Sequence, residues 1–158
     1  MGDDLDQLLA EREIRRRLLD YCRGVDTADA ALVASAYHAD SYDDHGSFQG
    51  DGPTFAAYVT NAVRDRYEAT QHVIDHATID FVDDNTAAVE TYVVARHVHR
   101  DEAGPLLTTF GGMYRDRFER RKGDWRIARR EVLHSWDKVE RVEPGWPAGH
   151  FAERPRVQ

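Results

Sequence analysis

An α+β fold with its helices ahead of its strands is what this sequence predicts, on three observations. Apolar residues recur at helical spacing through the first third of the chain. From residue 70 they give way to long runs of strand composition, and short polar turns cut those runs at near-equal intervals. Helices followed by an antiparallel meander pack as separate layers rather than as a parallel βαβ sheet. A strongly bent sheet of such long strands, with the helices on its concave face, makes a cone around an internal pocket.

Taken in order, Leu5, Leu8, Leu9, Ile14, Leu18, Leu19 and Cys22 mark a first helix, with Asp3 or Asp4 as N-cap. Asp26 or Thr27 can cap a short second helix running through Leu32, Val33 and Tyr37. A strand over residues 41–48 and the turn Gly50-Asp51-Gly52 follow. Pro53 suits the first position of a third helix carrying Phe55, Tyr58, Val59, Ala62 and Val63. Four strands over 70–82, 86–100, 106–120 and 125–137 are separated by turns at Asp83-Asp84-Asn85, Asp101 to Pro105 and Lys122-Gly123-Asp124. Residues 138–158 read as an irregular tail, in which Trp146 and Phe151 suit docking. With no repeat, linker or low-complexity stretch, residues 1–158 read as one domain with a core of about 5–137.

Composition narrows the partners. A length of 158 residues with 41% hydrophobic and 32% charged side chains is that of a globular chain with one core. A net charge of -8 argues against nucleic acid and anionic membranes, which need a basic face. No apolar run approaches the ~20 residues that cross a bilayer. The acidic start Met1-Gly2-Asp3-Asp4 has no signal-peptide core, and the single Cys22 permits no intrachain disulfide, so a cytoplasmic location is expected.

Candidate chemistry starts from Asp26, which ends the run YCRGVD, and His72, within TQHVI. Brought together, the carboxylate would hold the imidazole in one tautomer and stabilise its cation, which equips a metal-free general base near neutral pH. Blander readings stand beside this one: Asp26 as a helix N-cap and His72 as a packed strand residue. His76 shares His72's side of the strand by parity and is otherwise unmarked. His97 and His99 face one side of their strand, and with Asp43, Asp44 and His45 they have the donor types of a zinc or iron site. Strand HxH pairs are also common without metal. Cys22 reads as a small core residue.

Three segments, AEREIRRRLLDYCRGVDTAD, TQHVIDHATIDFVDDNTA and FGGMYRDRFERRKGDWRIARREV, resemble SnoaL-like proteins of the NTF2-like (cystatin-related α+β cone) superfamily in order and spacing, over most of residues 5–137. Within it the chain is most similar to the branch of scytalone dehydratase, bile acid 7α-dehydratase and the hexachlorocyclohexane dehydrochlorinase. The resemblance implies that Asp26 partners a catalytic His72, and that Tyr21, His97 and Arg130 occupy substrate-binding positions of those lyases. The sequence departs at Val25 and His45, where scytalone dehydratase has tyrosines, and His45 joins the substrate-binding set. The tail segment PAGHFAERP is similar to the dehydrochlorinase's C-terminus.

What this implies is a cofactor-independent lyase of the dehydratase or dehydrohalogenase type, acting on a small, largely apolar cyclic substrate. His72 removes a proton from carbon, Asp26 steadies the imidazolium, and Tyr21, His97 or Arg130 assists the departing hydroxyl or halide. No cofactor and no metal are expected, as in the family analogues. Isomerisation or cyclisation of the ketosteroid-isomerase or polyketide-cyclase kind shares the proton abstraction. A non-catalytic small-molecule binder, or a protein like a ring-hydroxylating dioxygenase β subunit, also suits the fold. A homotrimer or homodimer is expected through the convex face, where Tyr92, Val94 and Val98 lie opposite His97.

Overall fold

The long first helix, α1 (Gly2–Thr27), sets the frame, followed by α2 (Ala30–Ser35), β1 (Tyr37–Asp44), β2 (Gln49–Gly50) and α3 (Gly52–Arg66). Four long strands complete the chain: β3 (Ala69–Asp83), β4 (Thr86–Asp101), β5 (Gly104–Arg121) and β6 (Asp124–Arg141). The structure is a computed structural model, and residues 2–143 and Gly145 are described. The predicted α+β class holds. The last strand continues to Arg141, so the predicted irregular tail begins later than residue 138. Trp146 and Phe151 lie outside the described residues.

One unclosed, curved sheet has the order β2-β1-β6-β5-β4-β3. It is antiparallel except where β1 runs parallel to β6, which corrects the all-antiparallel expectation at one pairing. β1 starts at Tyr37 rather than near Ser41, so the polar run His38 to Asp44 is strand and the following turn is short. Along β4 burial alternates strictly from Ala87 to Ala95, which turns Val89, Thr91, Val93 and Ala95 into the concave face and leaves Tyr92 outward.

The core is the seam between α1 and that concave face. Ile14, Leu18, Tyr21 and Val25 meet Val33, Tyr37, Phe55, Phe118, Trp125 and Ile127, each 1% exposed or less. Burying a side chain of this size is worth about 1.5–3 kcal/mol. The inward face of α1 is therefore Ala10, Ile14, Leu18, Tyr21, Cys22 and Val25. Leu5, Leu8, Leu9 and Leu19, expected in the apolar stripe, are 52–62% exposed instead. The stripe drifts around the helix, and only its C-terminal half follows the sheet. Asp3 and Asp4 fall inside α1 rather than capping it. No helix among the described residues is long and apolar enough to cross a membrane.

The end of α1 places the first candidate residue. Ala28 adopts a left-handed conformation (φ 56°), the N–H of Ala28 donates to Val25 O at 3.1 Å, and that of Asp29 donates to Gly24 O at 2.8 Å. This pair of bonds is a Schellman stop. Asp29 then caps α2, accepting from Leu32 N at 2.9 Å, so neither Asp26 nor Thr27 has the capping role expected of them. Gly24 allows the reversal, because a Cβ there would sit 2.7 Å from both Val33 Cγ2 and Val33 N.

Candidate active site

With Asp29 as the cap, the carboxylate of Asp26 turns to β3. Its Oδ1 accepts from Thr70 Oγ1 and from His72 Nδ1, both at 2.7 Å, and its Oδ2 accepts from His72 N at 2.9 Å. Because a carboxylate only accepts, Nδ1 of His72 carries a proton and Nε2 is the nitrogen left for other contacts. Burial pushes the Asp26 carboxyl up, but the hydrogen bonds and charge of His72, with Thr70, outweigh it and leave the pKa below the ordinary value. The His72 side chain is only 8% exposed.

His72 lines a cavity of about 280 Å³. Its walls come from the end of α1 (Tyr21, Val25), one face of α3 (Phe55, Tyr58, Val59, Ala62, Val63) and the concave sheet (Ala95, His97, Phe110, Tyr114, Val132). His97 faces His72 edge-on with ring centroids 5.6 Å apart, and stacks on Tyr67 at 4.6 Å. Burial, helped by the charge of neighbouring His72, lowers the His97 pKa to about 4, so this imidazole is neutral at pH 7. Its Nδ1 is buried with no hydrogen-bond partner among the described residues.

Away from His72, the wall is built on a second carboxylate–imidazole pair. His45 Nδ1–H donates to Asp43, whose other oxygen accepts from Tyr37 Oη at 2.6 Å. His45 Nε2 lies 3.0 Å from Tyr21 Oη, and the imidazole stacks on Phe55 with centroids 4.1 Å apart. Tyr21 is buried, and burial pushes its phenol well up despite the opposing pull of Arg130.

Arg130 stands behind this wall. It is wholly buried, bonds Asp116 in bidentate fashion at 2.8 and 2.6 Å, and lies 4.3 Å and 4.1 Å over the Tyr21 and Tyr114 rings. Burial opposes its charge, while Asp116 and the tyrosines hold the guanidinium protonated. Burial also raises the Asp116 carboxyl, against the attraction of Arg130.

Of the expected residues, Asp26 and His72 are bonded to each other, and Tyr21, His45, His72 and His97 border one cavity. Arg130 is not in its lining and meets it only through the rings it supports. Its strand neighbours Arg126 and Arg129 pair with Asp124 and Glu131 at the surface. His76 does not share the side of His72: a bulge between Asp75 and Ala77, with His76 at φ 42°, breaks the parity and exposes it. His99 bonds Thr108 at 2.9 Å, and among the described residues no group of three or more His, Cys, Asp or Glu is placed to hold a metal. Cys22 is a core residue whose thiol burial pushes up to about 12. Asp43, Asp116, Thr70 and Tyr67 were not singled out for these roles. Thr70 and Asp43 each stand two residues before a pocket histidine, which is a usable signal.

Comparisons with known proteins agree with this architecture. The putative scytalone dehydratase of Novosphingobium aromaticivorans superposes with a TM-score of 0.76 at 24% identity, covering 95% of this chain and 99% of that one. A type 2 hexachlorocyclohexane dehydrochlorinase gives 0.81 at 22%, covering 92% and 99%. A Nostoc punctiforme protein described as having a cystatin-like fold gives 0.65 at 17%, covering 80% and 92%. At these identities the likeness is one of fold. No curated protein matches the sequence. Residues 6–131 match the SnoaL-like domain family, and the chain belongs to that family.

Proposed function

We propose that this protein is a cofactor-independent lyase that uses His72 as a general base, oriented by Asp26, on a small and largely apolar cyclic substrate. The observation that carries the reading is the 2.7 Å bond from His72 Nδ1 to Asp26 beside a cavity of about 280 Å³. The carboxylate fixes the tautomer and steadies the imidazolium that forms when Nε2 takes a proton from carbon. His97, neutral and half-buried, is suited to contact a substrate oxygen rather than to compete as a second cation. Tyr21 is suited to hold the departing group, with Arg130 positioning its ring from behind. Apolar lining from Val25, Val59, Val63, Phe110 and Val132 limits the water that could intercept the carbanion. That relatives in fold include a dehydratase and a dehydrochlorinase supports elimination as the reaction class. On the convex face, Val73, Tyr92 and Trp136 are 43%, 63% and 50% exposed, which supports self-association through the sheet.

The base is tested without knowing the natural substrate. Cyclohexanone in D2O, followed by proton NMR, should lose its α-hydrogens faster in the presence of the protein. His72→Ala should slow that exchange by about 10²–10⁴-fold, the usual worth of a positioned base, while the unfolding transition stays cooperative. Exchange that survives this substitution removes His72 from the mechanism.

A further inference from the structure

The base leaves part of the cavity wall unused: the chain of contacts from Asp43 through His45 to Tyr21. We infer that this chain is a proton relay that feeds the Tyr21 hydroxyl, so that the group leaving the substrate is a hydroxyl rather than a halide. The inference rests on the reading of His72 as the base and adds the acid that the base requires.

Geometry supports it first. Asp43 is fixed by Tyr37 and has no side-chain exposure, so it holds Nδ1–H of His45 and turns Nε2 toward Tyr21, 3.0 Å away. Tyr21 and His45 both border the cavity, while Asp43 does not. Stacking on Phe55 holds the His45 ring in this orientation.

Its closed surroundings support it too. Around His45 stand Asp43, Tyr21, Phe55 and Tyr114, with Asp116 and Arg130 behind the tyrosine rings. The side chains of Asp43, Asp116 and Arg130 are all wholly buried. The relay runs from a His45 that carries both ring protons, the form that can donate from Nε2 to Tyr21.

His72 Nε2 takes the proton from carbon, and the released electron pair becomes the second bond of an alkene as the carbon–oxygen bond breaks. The departing oxygen takes the Tyr21 proton and leaves as water, and Tyr21 recovers a proton from His45 Nε2–H. Burial of the phenol disfavours a lasting phenolate, which draws that recovery forward. His72 ends one proton richer and His45 one proton poorer, and solvent restores both. A chloride leaves as a stable anion and has no use for such a supply.

The test uses three probes on the intact protein: α-exchange of cyclohexanone, elimination from 3-hydroxycyclohexanone, and elimination from 3-chlorocyclohexanone corrected for its uncatalysed rate. His45→Gln can still bond Tyr21 but cannot pass a proton. Tyr21→Phe keeps the ring packing and removes the outlet. Each should lower kcat for the hydroxy ketone by about 10²–10³-fold, and by at least tenfold more than for the chloro ketone. Equal losses on both ketones, or no loss, overturn the relay. Wild-type protein that exchanges cyclohexanone but eliminates neither ketone overturns the relay and leaves the base standing. Absence of exchange overturns the base, and the relay with it.

Discussion

Two carboxylate–imidazole pairs border the same cavity in unlike settings. Asp26 reaches from the end of α1 to a strand residue 46 positions later, and its side chain keeps 23% exposure. Asp43 and His45 are two apart on one segment, and Asp43 is wholly buried. The first pair is a tertiary contact, so its carboxylate both steadies an imidazole and ties α1 to β3. The second is local, and its charge is tolerable only within a cluster that includes Arg130 and Asp116. The first carboxylate thus keeps some access to water, while the second is held where there is none.

The sharpest way to break this contrast is Arg130→Ala. It strands the buried Asp116 carboxylate, and urea unfolding should report a loss of about 3–5 kcal/mol. A loss under about 1 kcal/mol would mean that Asp116 does not depend on Arg130 for its burial. Next in size, Asp26→Asn should slow α-exchange of cyclohexanone by about 10²-fold, because an amide cannot steady the imidazolium. It should also flatten the acid limb of the stability profile. The folded Asp26 pKa lies below its ordinary value, so its contribution is present above that value and is lost as pH falls through the folded one. Urea midpoints at neutral and acid pH, compared with wild type, read this directly.

His97, which contacts His72, sharpens the comparison further. Its folded pKa of about 4 lies below the ordinary imidazole value, so the folded state binds fewer protons between the two. Stability should fall as pH drops from about 6.5 toward 4, and His97→Gln should remove that part of the slope in urea titrations. The smallest effect is expected at Asp29→Ala, about 1 kcal/mol for the lost cap. Its second readout matters more: α-exchange should change little, since Asp26 is held by Thr70 and His72 rather than by the cap.

Much of this was legible in the sequence where local rules act alone. Alternation fixed β3 to β6 to within a few residues, and the family resemblance singled out Asp26 and His72. What stayed hidden depends on contacts between elements. The choice among Asp26, Thr27 and Asp29 as cap turns on a left-handed Ala28, which no residue preference announces. The bulge at His76 reverses a parity argument that is otherwise sound. Arg130 was expected to meet substrate, but its cross-strand neighbour is Asp116, fixed by a register that includes a bulge. The role of Asp43 needed the burial of β1, and a run as polar as YHADSYDD does not advertise burial.

The way α3 is placed has an evolutionary corollary. Tyr58, Val59, Ala62 and Val63 supply much of the greasy lining, yet neither the proposed base nor the proposed relay draws on them. Exchanging these four side chains would remodel the interior like a replaceable panel, so descendants of this scaffold could admit new guests while keeping the residues proposed here as acid and base.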